Sequence, residues 1–255
     1  MEAAVEKGDV KEVAELLRQY PDFNVNVVLD AGRRTLLHRA CDASHRSAVI
    51  PLLLAHPGID VNLEDRDGCT PFLIACFFGY TPCVREMLKD SRVKVNEVTN
   101  HGHTPLSRAA WNGSIDAIKW WVASGREMDL GTPGDAFKPD AIEEARQNIA
   151  TEVVTLLERF KENPVETRHA VRVELGLVDE LAAEVFAMVV FVSDGLLQVR
   201  KPVDTTPTAA RFFRIATQLP LELQMVLCHR VVGSAKEIIS GKDSEAAFKY
   251  LAKRI

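Results

Sequence analysis

The sequence predicts an all-α protein in which short helix–turn–helix units stack into a solenoid, followed by a separate helical region. Two markers recur along the first half of the 255-residue chain at nearly one spacing. The first marker is a threonine 35 and then 34 residues apart, at Thr35, Thr70 and Thr104. The second is a Val-Asn pair, 36 and then 34 residues apart, that ends at Asn26, Asn62 and Asn96. Two independent markers with one period indicate a repeat architecture.

Each copy carries signals for two helices joined by a tight turn. Thr70 and Thr104 each precede a proline, a pattern typical of a helix N-cap followed by the first helical residue. Gly79 and Gly113 end the first helix, where the chain needs a residue that tolerates positive φ. Apolar residues then recur at helical spacing and predict a second, core-facing helix. These runs are Val49–Leu53, Val84–Leu88 and Ile118–Val122.

These motifs resemble those of the ankyrin repeat family. Residues 67–79 (DGCTPFLIACFFG) align with residues 101–113 (HGHTPLSRAAWNG), and an earlier copy begins at Gly32. The resemblance implies two antiparallel helices and a β-turn in each repeat, stacked as an ankyrin repeat solenoid. It also implies that His38 is a packing and hydrogen-bonding residue. Three copies are clear over about 30–130, and degenerate copies flank them as capping repeats would.

The chain divides into two predicted domains. Residues 1–160 form an ankyrin repeat domain of about five repeats, the first and last degenerate, and residues 161–255 form a helical C-terminal region. The polar stretch 161–171, with Pro164 as a breaker, predicts a connector. Four helices are expected beyond it, over 177–192, 209–217, 219–232 and 245–254. We expect them to pack on the final repeat and close the solenoid.

One segment of the C-terminal region resembles the opening of F-box motifs. It reads LPLELQMVL over residues 219–227. The matching positions are Leu219, Pro220, Glu222, Leu223 and Leu227. The resemblance implies a ubiquitin-ligase subunit as a partner and a role as substrate adaptor. The alternative is an ordinary helix start, with proline at the first position and an acid in the first turn.

The ankyrin resemblance also implies a concave face, formed by the turn tips and the outer side of the first helices. Positions that are usually polar on this face hold Phe77, Phe78 and Trp111, and Ile74 lies one turn earlier. Exposed contiguous apolar surface often marks an interaction site, and aromatic residues are favoured as hot spots. We therefore expect these side chains to anchor a partner protein. The same face also holds Asp42 and Asn112. The turn tips carry the residues that could form a polar rim: Arg33, Arg34, Arg66, His101 and His103.

Two alternatives to this anchor remain open at the level of the sequence. The C-terminal helices could fold back over the aromatic side chains, or the aromatics could pack between repeats. In the first case the solenoid would bind no partner. Trp120 and Trp121 lie in the second helix of their repeat and are predicted to be core residues.

Composition and charge exclude several classes of function. There are 31 basic and 36 acidic residues, for a net charge of −5, which argues against nucleic-acid binding. The longest apolar run, residues 185–192, is too short to span a membrane. The first ten residues do not resemble a signal peptide. The five cysteines lack metal-ligand spacing, so we expect reduced thiols in the cytoplasm or the nucleus.

Nothing in the sequence matches a catalytic or cofactor-binding motif. His101 and His103, with Glu64 or Asp65 nearby, could ligate a metal, but surface charge is the preferred interpretation. We therefore expect no enzyme activity, no cofactor and no metal site. The predicted function is that of an interaction scaffold or adaptor that binds a partner protein through the concave face. The alternatives are a ubiquitin-ligase substrate adaptor, a capped solenoid without a partner, and an enzyme of unrecognised type.

Overall fold

Helices dominate the residues that the computed structural model describes: 1–135, 138–194, 216–219, 221–232, 239, 243–245, 247 and 249. Within these ranges there is no strand, and one isolated bridge pairs Thr132 with Pro139. The predicted all-α class is therefore confirmed. The chain divides into two compact units, 1–168 and 169–255. The first unit ends eight residues beyond the predicted domain boundary.

Helices of the first unit come in pairs. The first helices of the pairs are α1 (Glu2–Lys7), α3 (Leu36–Cys41), α5 (Pro71–Phe77), α7 (Pro105–Trp111) and α9 (Ala141–Gln147). The second helices are α2 (Val10–Gln19), α4 (Ile50–Leu54), α6 (Thr81–Leu88), α8 (Ile115–Ser124) and α10 (Thr151–Glu162). Each first helix contacts the first helix of the next pair, and the second helices contact one another in the same way. The two resulting rows confirm the predicted solenoid.

Threonine caps start the first helices of the third and fourth pairs. The Thr70 hydroxyl accepts the N–H of Leu73 at 3.2 Å, and Thr104 accepts the N–H of Ser107 at 3.0 Å. The fifth pair lacks this threonine, and the Asp140 carboxylate replaces it by accepting two backbone N–H groups of α9. The degenerate repeat therefore keeps the cap with a different residue, since aspartate serves as well at this position.

A left-handed residue follows the first helix in four of the five pairs, beginning with Gly8 after α1. Gly79 has φ +67° and Gly113 has φ +65°, as predicted for these glycines. In the fifth pair Ile149 occupies the equivalent position with φ +59°, and its side chain is exposed. A β-branched side chain is strained in this conformation, because its Cβ crowds the neighbouring carbonyl.

The second pair departs from the predicted pattern. A 3₁₀ helix over Ser44–Val49 precedes α4, so the apolar run beginning at Val49 is only partly α-helical. Pro51 accounts for the short α-helix. It lacks the N–H that would bond to the carbonyl four residues earlier, and a continuous α-helix through both segments would lose that bond.

The repeated asparagines join neighbouring repeats. The Asn62 amide donates to the carbonyl of Arg92 at 2.9 Å, and its oxygen accepts the N–H of Lys94 at 2.8 Å. Asn26 makes the same pair of bonds with Gly58 and Asp60, and Asn96 accepts the N–H of Asp129. Each asparagine thus satisfies loop backbone of the next repeat, which explains the second periodic marker.

Two arginines 34 residues apart reach in the opposite direction. Arg92 donates to the carbonyl of Leu54 at 2.6 Å, at the end of α4. Arg126 donates to three carbonyls of the preceding repeat, including Leu88 at the end of α6. The last carbonyls of a helix have no partner within it, so a cationic donor stabilises them.

The core runs between the rows of helices. Phe72 in α5 meets Trp121 in α8 edge to face, with ring centroids 5.1 Å apart, and both side chains are fully buried. Trp121 is thus the core residue that the sequence predicts. Trp120 is only half-buried and lies under the Arg85 guanidinium, 4.6 Å from the ring centroid. The prediction of a core role for Trp120 was wrong, because consecutive residues of a helix face different directions.

The predicted connector is largely helical. Helix α11 spans Pro164–Glu174, and Asn163 caps it by accepting the N–H of Glu166 at 3.1 Å. Pro164 begins this helix as its first residue and does not break one, since proline has no N–H to lose at this position. The capping asparagine before it was the overlooked signal.

In the second unit α12 (Leu177–Ser193) packs against α13 (Leu221–Val231), close to two of the predicted helices. The shared core includes Phe186, Val189 and Cys228. The predicted helices over 209–217 and 245–254 lie largely outside the described residues. No helix in the described part of the chain is long and apolar enough to cross a membrane.

Replacing Ile149 by glycine should stabilise the protein. The change removes the strain of a positive φ, and the gain should be about 0.5–1 kcal/mol after the greater freedom of glycine in the unfolded chain is subtracted. The control is Gly113→Ala at the matching turn, where a Cβ would meet only the Cβ of Ala150 at 3.6 Å. It should lose about 1 kcal/mol. Urea denaturation checks both, and equal stability of Ile149→Gly and wild type would contradict the assignment of strain.

Truncating Asn62 should weaken the link between the second and third repeats. Asn62→Ala leaves one carbonyl and one N–H to water, and we expect a loss of about 1–2 kcal/mol in the free energy of unfolding. Asn112→Ala is the control, since no side-chain hydrogen bond of Asn112 is found in the described part of the chain. Thermal and urea denaturation should separate the two variants, and losses of the same size would argue against the asparagine ladder.

Candidate binding groove

A groove of about 360 Å³ opens between the turns and first helices of the third and fourth repeats. Helix α5 supplies its apolar wall, and the turns before α5 and α7 supply its polar end. It is lined by Arg34, Asp65, Asp67, Cys69, Leu73, Ile74, Phe77, Phe78, Thr99, His101 and Arg108. Five of the residues that the sequence places on the concave face meet here: Arg34, Ile74, Phe77, Phe78 and His101.

The apolar wall is aromatic and partly open to solvent. The rings of Phe77 and Phe78 meet edge to face with centroids 4.9 Å apart, and Phe78 stacks on Tyr80 at 5.6 Å. Phe78 is 43% exposed, a large fraction for a phenylalanine, whereas Ile74 beneath is buried. Positions 77 and 78 follow the last buried turn of α5, so the helix itself directs these rings to the surface.

Trp111 and Asn112 lie apart from this groove. Both are exposed at the end of α7, and neither contributes to the lining. The backbone carbonyl of Trp111 accepts a hydrogen bond from the Asn148 amide of the next repeat. The structure therefore divides the predicted aromatic cluster into a pair lining the groove and a separate tryptophan one repeat away.

The polar end is organised around Asp65. This buried carboxylate accepts the N–H groups of Asp67 and Cys69, both at 2.9 Å, and so shapes the turn. Arg34 lies between two acids, with its Nε 3.6 Å from Asp65 and its Nη1 3.9 Å from Asp42. Arg34, predicted for the rim, and Asp42, predicted for the concave face, are therefore engaged with each other.

The remaining rim residues occupy the turn tips. Arg33 and Arg66 are exposed and lie outside the lining. The Arg33 backbone has φ +61°, at the position that glycine holds in the next two turns. The Arg66 N–H donates to the carbonyl of Gly32 at 2.7 Å, so successive tips are bonded backbone to backbone.

Arg108 is a groove residue that the sequence analysis missed. Its guanidinium lies over the Phe77 ring, 5.6 Å from the centroid, which places a cation at the edge of the apolar wall. It forms no salt bridge with any residue that the structure describes. Arg108 is the repeat equivalent of Ile74, so comparing the two copies column by column would have found it.

Three histidines of the repeats differ in their surroundings. His101 is exposed and lines the groove, and His103 is half-buried. Burial lowers the pKa of His103, and the charges of Arg108 and His101 lower it further. His38 is fully buried: its Nδ1 accepts the N–H of Thr35, and its Nε2 donates to the carbonyl of Cys69, each at 3.1 Å. It thus ties the second repeat to the wall of the groove, in agreement with the structural role expected for it.

Burial sets the protonation state of the thiol in the groove. Burial, with a smaller effect of the Asp65 charge, raises the pKa of the Cys69 thiol to about 12, so it is a neutral thiol at pH 7. Among the described residues no group of three or more histidine, cysteine or acidic side chains could hold a metal ion. Within the described residues, His101 and His103 are therefore not joined by a third side chain of this kind.

The F-box-like segment lies in the second unit. Leu221 and Leu223 at the start of α13 are exposed, 54% and 51%, whereas Leu227 packs against the core of that unit. Leu219 is half-buried in the turn before the helix. Pro220 and the Glu222 side chain lie outside the described residues.

A family profile described as ankyrin repeats (3 copies) matches residues 50–131. SMC5-SMC6 complex localization factor protein 1 of Bos taurus is 41% identical over 92 residues, 36% of this chain and 8% of that protein. Rabankyrin-5 of Homo sapiens is 33% identical over 103 residues, 40% of this chain and 9% of that protein. Tyrosine-protein kinase HTK16 of Hydra vulgaris is 30% identical over 139 residues, 52% of this chain and 18% of that protein. The matches thus span less than a fifth of each relative's length.

Protonation of His38 should destabilise the fold. Burial holds its pKa below the ordinary value of 6.5, and the added proton at Nδ1 would oppose the N–H of Thr35. The contribution of neutral His38 to the free energy of unfolding is therefore fully present above pH 6.5. It is lost as the pH falls from 6.5 through the pKa that His38 has in the folded protein. We expect the free energy of unfolding in urea to fall between pH 7.5 and pH 5.5. In His38→Gln the free energy of unfolding should fall less over this pH range, and the fall that remains should come from His103. If the variant and the wild type show the same pH dependence, this account is contradicted.

Proposed function

Because residues 50–131 are ankyrin repeats, which generally mediate protein–protein interaction, we propose that this protein is a scaffold or adaptor that binds a partner protein through its concave face. The groove in front of Phe77 and Phe78 holds the partner's anchoring side chain. The observation that carries this proposal is the half-open aromatic wall beside a cavity of about 360 Å³.

The arrangement has the features of an interface hot spot. Hot spots combine aromatic residues in a pocket with a polar surround that excludes water. Here Phe77 and Phe78 form the apolar centre, and Arg34, Asp67 and His101 lie at its polar end. A stacked scaffold loses little conformational entropy on binding, which favours affinity from a small contact.

Binding without catalysis is the function we propose, at a cytoplasmic or nuclear location. All five cysteines are free thiols, which supports a reducing compartment. The neutral Cys69 thiol supports a groove that binds through contacts.

A ubiquitin-ligase adaptor is the second candidate. The two exposed leucines at the start of α13 favour it, because exposed leucines close together at a helix start can dock on a partner helix. In this scheme the groove would hold the substrate and residues 219–227 the ligase subunit.

The test is quantitative affinity capture with the full chain as bait. The variant Phe77→Ser/Phe78→Ser removes the aromatic wall, and Tyr20→Ser removes an aromatic ring outside the groove that is more exposed than Phe78. We expect the amount of partner protein recovered to fall at least about 30-fold with the first variant, as for the loss of a hot-spot pair. The amount recovered with Tyr20→Ser should be unchanged. Circular dichroism and thermal denaturation verify that both variants are folded.

Two outcomes would count against the proposals. If the double variant retains the partners of the wild type, the groove is not the binding site. A third bait, Leu221→Ser/Leu223→Ser, tests the adaptor role. Capture of a ligase subunit that this bait loses would support the second candidate, and its absence from the wild-type capture would contradict it.

A further inference from the structure

We propose that the groove selects a partner segment in which an acidic side chain lies close to a large apolar one. The apolar side chain packs on Phe77 and Phe78, and the carboxylate pairs with Arg108. This inference rests on the proposed function, since it names the chemistry of the partner at the same groove.

The position of Arg108 carries the argument. Its guanidinium lies 5.6 Å from the centroid of the Phe77 ring, so a ligand side chain seated on that ring lies beside the charge. Side chains two residues apart on one face of an extended segment are separated by about 6.6 Å. An acid two positions from the apolar anchor therefore reaches Arg108 without bending the segment.

The acids nearest to the groove do not neutralise Arg108. Asp65 and Asp42 lie beside Arg34. Glu144, on α9 of the next repeat, forms no salt bridge with Arg108. The charge of Arg108 lowers the pKa of Glu144, but burial of the Glu144 carboxyl raises that pKa by more. Among the described residues, Arg108 therefore keeps its guanidinium available for a carboxylate from outside.

The other charges of the lining orient the ligand. Asp67 is exposed at the turn tip and disfavours a carboxylate at that end. His101 is exposed on the following turn, and its ring can donate to an acidic side chain. A carboxylate is thus favoured on the side of the fourth repeat and disfavoured at the tip of the third. Charge complementarity of this kind sets specificity more than affinity.

The experiment selects peptides from a random dodecapeptide library displayed on phage, with the immobilised full-length protein as target. Parallel targets are Arg108→Glu, Phe77→Ser/Phe78→Ser, and Arg18→Glu as a control. Arg18→Glu makes the same change of charge on an exposed side chain of α2, away from the groove. Deep sequencing of the enriched pools reads the residue preferences at each position.

We expect the wild type and Arg18→Glu to enrich aspartate or glutamate two positions from a large apolar residue. Arg108→Glu should keep the apolar preference and replace the acid by lysine or arginine. A synthetic peptide from the wild-type pool should bind Arg108→Glu at least about tenfold more weakly, and changing its acid to lysine should restore most of that loss.

The outcomes separate this inference from the proposed function. If the pools depend on Phe77 and Phe78 but show no acidic preference, or one that Arg108→Glu leaves unchanged, the inference is wrong and the proposed function stands. If the aromatic variant enriches the same peptides as the wild type, or if no target enriches any, both are contradicted.

Discussion

Side-chain hydrogen bonds from one repeat to the backbone of the next are the interactions on which the solenoid depends. A pair of short helices has too little apolar surface to fold alone, and its loops leave backbone groups that need partners. Asn26, Asn62 and Asn96 satisfy loop backbone of the next repeat, and Arg92 and Arg126 satisfy a helix end of the preceding repeat. Because these residues recur with the period of the repeat, the stacking register is fixed by polar groups as well as by the core.

The stacking register of the repeats also determines the geometry of the groove. The N–H of Asn100 donates to the carbonyl of Asp67, so the two turns at its polar end are bonded directly. A Cβ on Gly68 would lie 2.7 Å from that nitrogen, so only glycine permits the approach. His38 holds the carbonyl of Cys69 from the preceding repeat. The residues that line the groove are thus positioned by neighbours on both sides.

The sequence predicts the repeats well, because their signals are local and recur. Caps at Thr70 and Thr104 and glycines at 79 and 113 depend on residues close in the chain. The failures have local causes too: proline was taken as a breaker at Pro164, where Asn163 makes it a helix start, and Pro51 shortens a helix predicted as continuous. The site was harder. Phe77 and Phe78 are identified by their unusual place in the repeat, and Arg108 is found only when the copies are compared. The separation of Trp111 from the groove depends on packing between repeats that no single copy records.

Each polar link described above reaches only one repeat forward or back. The solenoid is therefore coupled as a linear chain, in which free energy added at one junction is felt at the adjoining junctions and decays beyond them. The groove lies at the junction between the third and fourth repeats, with three helix pairs before that junction in the first unit. A ligand bound there would stabilise this one junction between repeats. Its effect on slow amide exchange would accordingly be concentrated in the helices on either side, and the first pair would open and close much as it does in the free protein.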